Sequence, residues 1–220
     1  MNHTHQRPAG PPVVGILGGV ASGKSTIARL LAERGAAVVD ADEIGHEVLR
    51  LRAVREAVIG EFGAEVLDET GDISRSRLAE RVFGDNARVR KLNRIVHPPI
   101  LRRIRGRIRN LKQENAVPLI VLDAALLAET DLHRDLCQSL LFVAAPEETR
   151  RQRAREGRDM SSEQFSRRSE AQMAVREKRK LADFVVDNSG SLEELEQEVD
   201  ELWPELCKTA GRAPTHEPST

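Results

Sequence analysis

Short, wholly apolar runs recur along the chain, and amphipathic stretches separate them. Val13-Val14-Gly15-Ile16-Leu17 carries no polar side chain, which predicts a strand buried on both faces. Ile27, Leu30 and Leu31 then fall on one side of a helix, and Gly35 closes it as helix-terminating glycines do. The strand pattern returns at Ala36-Ala37-Val38-Val39, Leu119-Ile120-Val121-Leu122, Leu140-Leu141-Phe142-Val143 and Phe184-Val185-Val186. Strands alternating with helix-compatible sequence predict an α/β fold of three layers, a five-stranded, mostly parallel sheet with helices on both faces.

From Glu43 to Leu111 the pattern is mostly helical, interrupted at Gly60, at Gly63 and at the turn Glu69-Thr70-Gly71-Asp72. That is too long for a simple crossover, so residues 43–111 are expected to form a helical, substrate-binding insert over the carboxyl ends of the strands, where ligands of open α/β sheets sit. His97-Pro98-Pro99 is expected to break the helix, because proline disfavours helical backbone in the residue before it. Beyond it, Ile100, Ile104, Ile108 and Leu111 recur at helical spacing, with Arg102, Arg103, Arg105, Arg107 and Arg109 on the other faces. No aromatics interleave with these arginines, so a solvated helix face is the better reading than a nucleic-acid surface.

Composition narrows this picture. A chain of 220 residues fits one domain with an inserted subdomain. Its 34 basic and 35 acidic residues leave a formal charge of -1, which gives no overall attraction to nucleic acid or to an anionic membrane. Any anion site must be local. Cys137 and Cys207 suggest neither a disulfide framework nor a zinc cluster, and read as reduced thiols of a cytoplasmic protein. No apolar run is long enough to span a membrane. Residues 1–12, with His3 and His5 as spectators, and residues 208–220 read as disordered tails flanking a domain over 13–207.

The chemistry concentrates after the first strand. Gly18-Gly19-Val20-Ala21-Ser22-Gly23-Lys24-Ser25-Thr26 fits the phosphate-binding loop, whose glycines let backbone N–H groups close around phosphate oxygens. Lys24 is placed to reach the β- and γ-phosphates of a nucleotide, and the Ser25 hydroxyl to hold Mg²⁺. Asp40 and Asp42 follow the second strand, where ligands of open α/β sheets sit. A carboxylate there can orient an acceptor hydroxyl, accept its proton or hold the metal; capping the next helix is the competing role. Asp123 ends the third strand and competes with Asp42 for the metal side. Arg75 is a candidate for an anionic part of the acceptor, and His97 for a substrate contact or a turn hydrogen bond. Arg150, Arg151, Arg153, Arg155 and Arg158 mark residues 147–178 as an arginine-rich lid.

Taken in order, these motifs resemble the dephospho-CoA kinase family of phosphate-loop kinases over Val13 to Glu198. The resemblance rests on the loop Gly18 to Ser25, Asp40-Ala41-Asp42, Gly71-Asp72-Ile73-Ser74-Arg75 and Leu92-Asn93-Arg94-Ile95-Val96-His97-Pro98. Gln172 and Ala182-Asp183-Phe184-Val185-Val186-Asp187-Asn188-Ser189-Gly190 complete it. It implies a phosphate-loop NTPase-type fold, ATP and dephospho-CoA as substrates, Mg²⁺, and phosphorylation of the ribose 3′-hydroxyl as the last step of CoA synthesis. Asp42 is the first choice for the acceptor hydroxyl, and the family's lid arginine falls on Arg153, with Arg155 and Arg158 as other registers. Ala125-Leu126-Leu127-Ala128-Glu129 departs from the family's Pro-Leu-Leu-Phe-Glu-like segment. A kinase for another nucleotide or nucleoside, and a nucleotide-binding switch without transfer, are the competing readings.

Overall fold

In the computed structural model, the described residues are 10–82, 84–125, 127–130, 132–158 and 160–209, with the side chain of Arg158 excepted. His3, His5, Leu126 and most of both expected tails lie outside them. Pro11 and Pro12, expected in the N-terminal tail, are buried, and the Pro12 carbonyl accepts from Ile120 N at 2.8 Å. The contacts divide the chain into two units. One comprises residues up to Val39 and from Ile108 onward, and the other is Asp40–Arg107.

The first unit is built on a sheet of β1 (Val13–Gly18), β2 (Ala37–Asp40), β3 (Ile120–Asp123), β4 (Ser139–Ala144) and β5 (Phe184–Asp187), in the order β2-β3-β1-β4-β5. The β1/β3, β1/β4 and β4/β5 pairs are parallel. All six residues of β1 are buried, as its unbroken apolar sequence demands of a central strand. Side chains alternate between two buried faces. Val14, Ile16, Leu119, Val121, Leu141, Val143 and Val186 share a core with Ile27, Leu30 and Leu31 of α1 (Lys24–Glu33) and with Leu195, Val199 and Leu206 of α10 (Leu192–Lys208). Residues of opposite parity, among them Val13, Leu17, Leu122, Leu140 and Phe142, are equally buried. Each such aliphatic side chain contributes about 1.5–3 kcal/mol through burial, so the sheet is the rigid floor of anything built at its end.

The chain passes from β1 to an edge strand, returns to β3 on one side of β1, and then crosses to β4 on the other. This reversal opens a crevice beyond the carboxyl end of β1. After β3 come α6 (Leu132–Leu136), then α7 (Glu147–Arg158), α8 (Ser162–Glu170) and α9 (Val175–Leu181) between β4 and β5. Ala154 and Met160 from this stretch, with Phe165 of α8, form a small apolar cluster with Val20 and Ala21 of the loop after β1.

The second unit is helical: α2 (Ala41–Leu49), α3 (Arg52–Phe62), α4 (Arg75–Val82) and most of α5 (Asn86–Glu114). Ile44, Val48, Val54, Val58, Phe62, Val66, Leu78 and Ile104 are among its buried apolar residues. The turn read from Glu69-Thr70-Gly71-Asp72 is an Asp68-centred loop, in which Asp68 Oδ1 accepts from Thr70 N, Thr70 Oγ1 and Asp72 N at 3.0, 2.7 and 3.0 Å.

The expected helix break at His97-Pro98-Pro99 is corrected: α5 runs through both prolines. Each proline lacks an N–H, so the carbonyls of Arg94 and Ile95 lose their donors four residues on. The helix persists because it continues on both sides, with Pro99 itself buried and Ile104 and Ile108 anchoring the turns beyond. Tertiary burial here outweighs a local preference.

Candidate active site

The phosphate loop emerges from the most buried strand of the sheet. Ser22 N donates to Gly19 O at 3.2 Å, closing a turn, and Ala21 adopts a positive φ of 57°. Gly23, at φ 95°, is the N-cap of α1 and supplies no side-chain cap. The first-turn N–H groups of α1 therefore stay available to an anion, and no acidic residue in that turn competes with one. The Ser22 hydroxyl is buried without a partner, as suits a donor awaiting a phosphate oxygen. Lys24 Nζ donates to Gly19 O at 3.3 Å, folding its ammonium over the loop, and Ser25 is exposed at the second residue of α1.

Two further residues fix this loop from outside it. Asn188, buried just after β5, donates from Nδ2 to Ser22 O at 2.8 Å and lies against Gly23 where any Cβ would stand. Arg150 of α7 is 5 % exposed; its guanidinium donates to Val20 O at 3.4 Å and Ala145 O at 3.3 Å, and a Cβ on Gly19 would approach Nη1 to 2.6 Å. Burial lowers its pKa from the ordinary arginine value. Arg150 and Arg151 flank the Phe165 ring, 5.6 and 4.8 Å from its centre. Arg153 reaches the loop indirectly, donating to Asn188 O at 2.9 Å, whereas Arg155 is exposed.

Arg150 also lines a cleft of about 580 Å³ with Ala145, Pro146, Val175, Arg176 and Ser189. Arg150 thus touches both this cleft and the phosphate loop. Apolar walls beside guanidinium planes suit a flat heteroaromatic group, and the loop suits its phosphates. Asp123 sits at the carboxyl end of β3 in register with Ile16, two residues before Gly18, so the sheet sets it beside the strand that leads into the loop. Asp123 and Ser25 offer hard oxygen ligands, and Mg²⁺ binds through one or two such groups plus phosphates and water. Among the described residues no group of three His, Cys, Asp or Glu residues could hold a metal. The donor set fits a nucleotide-borne Mg²⁺ and no all-protein cage.

The other expected residues belong to the helical unit. Asp40 caps α2, accepting from Asp42 N at 2.7 Å and Glu43 N at 3.1 Å. Capping therefore occupies Asp40, while the Asp42 side chain is exposed in the first turn of α2. Arg75, exposed at the start of α4, lines a pocket of about 220 Å³ with His46, Arg50, Asp68, Asp72 and Ile73. His46 Nε2 is buried there without a hydrogen bond. His97 lines a separate, more open depression of about 700 Å³ with Arg90, Asn93, Arg94 and Pro98. Burial lowers its pKa, favouring the neutral ring.

Arg150 and Asn188 were not singled out for the site by sequence, although both fall inside motifs that were. In the sequence Arg150 is one of five arginines of the lid segment, with nothing local to set it apart from its neighbours. Its position three residues before Arg153 puts the two on the same side of α7. In the segment 125–129, Leu127 and Ala128 are buried and Leu127 N donates to Ala124 O at 3.1 Å, so a turn forms there without proline.

A sequence model of the family described as Dephospho-CoA kinase matches residues 12–194. The Dephospho-CoA kinase of Aquifex aeolicus is 40% identical over 196 residues, 89% of this chain and 97% of that protein. Among solved structures, TT1252 from Thermus thermophilus superposes with a TM-score of 0.77 at 35% identity, covering 90% of this chain and 98% of that one. Dephospho-CoA kinase from Campylobacter jejuni superposes with a TM-score of 0.64 at 25% identity, with the same coverage.

Proposed function

We propose, for a chain that belongs to the dephospho-CoA kinase family, that it transfers the γ-phosphoryl group of ATP to the ribose 3′-hydroxyl of dephospho-CoA, giving CoA and ADP. The observation that carries this reading is the phosphate loop with its orphaned Ser22 hydroxyl, held by Asn188 and by Arg150, which also lines a cleft of about 580 Å³.

In this reading the loop residues Gly19, Val20, Ala21, Ser22, Gly23, Lys24, Ser25 and Thr26 hold the phosphates, and the base enters the cleft beside Arg150. The new bond joins O3′ to the γ-phosphorus while the bond from that phosphorus to the β,γ-bridging oxygen breaks. Asp42 orients the acceptor hydroxyl and takes its proton. Support for Asp42 over Asp40 comes from the cap, which occupies the Asp40 carboxylate and leaves Asp42 exposed. The transition state is loose, so orientation contributes more than full deprotonation. Lys24 neutralises charge growing on the β,γ-bridge, and Arg153, on the α7–α9 lid, meets the transferring group. Ser25 and Asp123 would hold Mg²⁺, which supplies neutralisation of the phosphate oxygens when bound. Arg75 and His97 are assigned to the acceptor, Arg75 to its anionic portion. A cytoplasmic setting accords with two free cysteines.

The test is ADP release from ATP and Mg²⁺ with and without dephospho-CoA. Release that depends on dephospho-CoA, and not on nucleoside monophosphates, is expected. Release driven by a nucleoside monophosphate would reassign the acceptor, and release indifferent to any acceptor would overturn the kinase reading.

A further inference from the structure

Two features of the sequence have no place in the chemistry above: Gln172, and Glu129 in the segment that departs from the family pattern. The fold brings them together around a buried lysine. Lys178 of α9 is 2 % exposed, and its ammonium lies 2.9 Å from Glu129 Oε1 and donates to Gln172 Oε1 at 3.0 Å. Glu129 Oε1 also accepts from Met173 N at 2.8 Å. Residues 171–174 are the break between α8 and α9, so one carboxylate oxygen grips both the break and the helix that follows it.

A buried ion pair is a poor way to gain stability, because taking both charges from water offsets most of their attraction. This one is also incompletely satisfied, since Glu129 Oε2 is buried with no hydrogen bond. Its geometric effect is clear. The turn of α9 that contains Lys178 carries Val175, Arg176 and Arg179, which form one wall of the cleft beside the phosphate loop. Val175 also abuts the loop, with Cγ2 3.1 Å from the place a Cβ on Gly19 would occupy.

We propose that Glu129, Lys178 and Gln172 form a clasp that positions α9 as the wall of the ATP cleft, making Glu129 and Lys178 positioning residues for the phosphoryl donor. The inference rests on the reading of that cleft as the donor site. Glu129 follows β3, the strand that ends in Asp123, so the clasp ties the metal side of the site to the wall beside the base.

The experiment measures ATP binding by calorimetry, KM for each substrate and the thermal midpoint, on the full chain. The variants are Glu129→Gln, Gln172→Ala and the double variant Glu129→Gln/Lys178→Met. The double variant removes both charges and so avoids the stranded buried charge that could unfold Glu129→Gln. Expected is a thermal midpoint close to wild type in the double variant, with Kd and KM for ATP raised about tenfold and KM for dephospho-CoA within about twofold; Gln172→Ala, which loses one hydrogen bond from the Lys178 ammonium but keeps the Glu129 pair, gives about a threefold rise. A double variant with wild-type ATP affinity, or one that raises both KM values equally, overturns the clasp. A wild-type chain that fails to bind ATP would instead remove the donor-site reading, and the clasp with it.

Discussion

Asn188 shows how much can depend on one amide. Its Nδ2 satisfies the Ser22 carbonyl inside the loop, while its main-chain carbonyl takes a hydrogen bond from Arg153. Asn188→Ala removes the first contact and leaves a buried acceptor unpaired, which costs about 1–3 kcal/mol. The expected result is ATP affinity weakened by about fivefold or more, with KM for dephospho-CoA little changed. Calorimetric titration with ATP checks this, and unchanged affinity would show that the loop holds its shape unaided. Cys137 gives a second prediction. Burial pushes its thiol from 9.0 up to about 12, partly offset by Lys112. The unfolded chain loses that proton first, so the native state binds more protons over the interval and stability falls as pH rises through 9 toward 12. Denaturant midpoints at about pH 8 and about pH 10 should show a drop that Cys137→Ala diminishes.

At the scale of elements, α5 carries the clearest local conflict. An interior proline costs a helix about 3 kcal/mol, of which roughly 1 kcal/mol is returned through the restricted unfolded chain. Pro98 is exposed, so Pro98→Ala should raise stability by up to about 2 kcal/mol, read as a higher denaturant midpoint. A lower midpoint would mean that the proline ring packs in a way its exposure does not reveal. The strands were legible because each is dominated by consecutive apolar residues. The α5 helix was not, because a local rule about His97-Pro98-Pro99 competes with burial of residues far along the helix. The same difference separates site residues. The phosphate loop is contiguous, and its spacing alone declares it. Arg150, Asn188 and the Glu129–Lys178 pair act across 130, 166 and 49 positions, the last being 178 less 129, and no local pattern announces such contacts.

For the whole molecule, the proposed mechanism divides donor and acceptor functions between two units, an α/β unit that holds the phosphate loop and a helical unit that bears Asp42, Arg75 and His97. A carboxylate that serves only the acceptor should be separable from donor binding. The most direct measurement is therefore ATP affinity and turnover in Asp42→Asn, side by side with wild type. The account predicts a Kd for ATP within about twofold of wild type and turnover lowered by about a hundredfold or more, the usual contribution of a positioned general base. Turnover near that of wild type would contradict it.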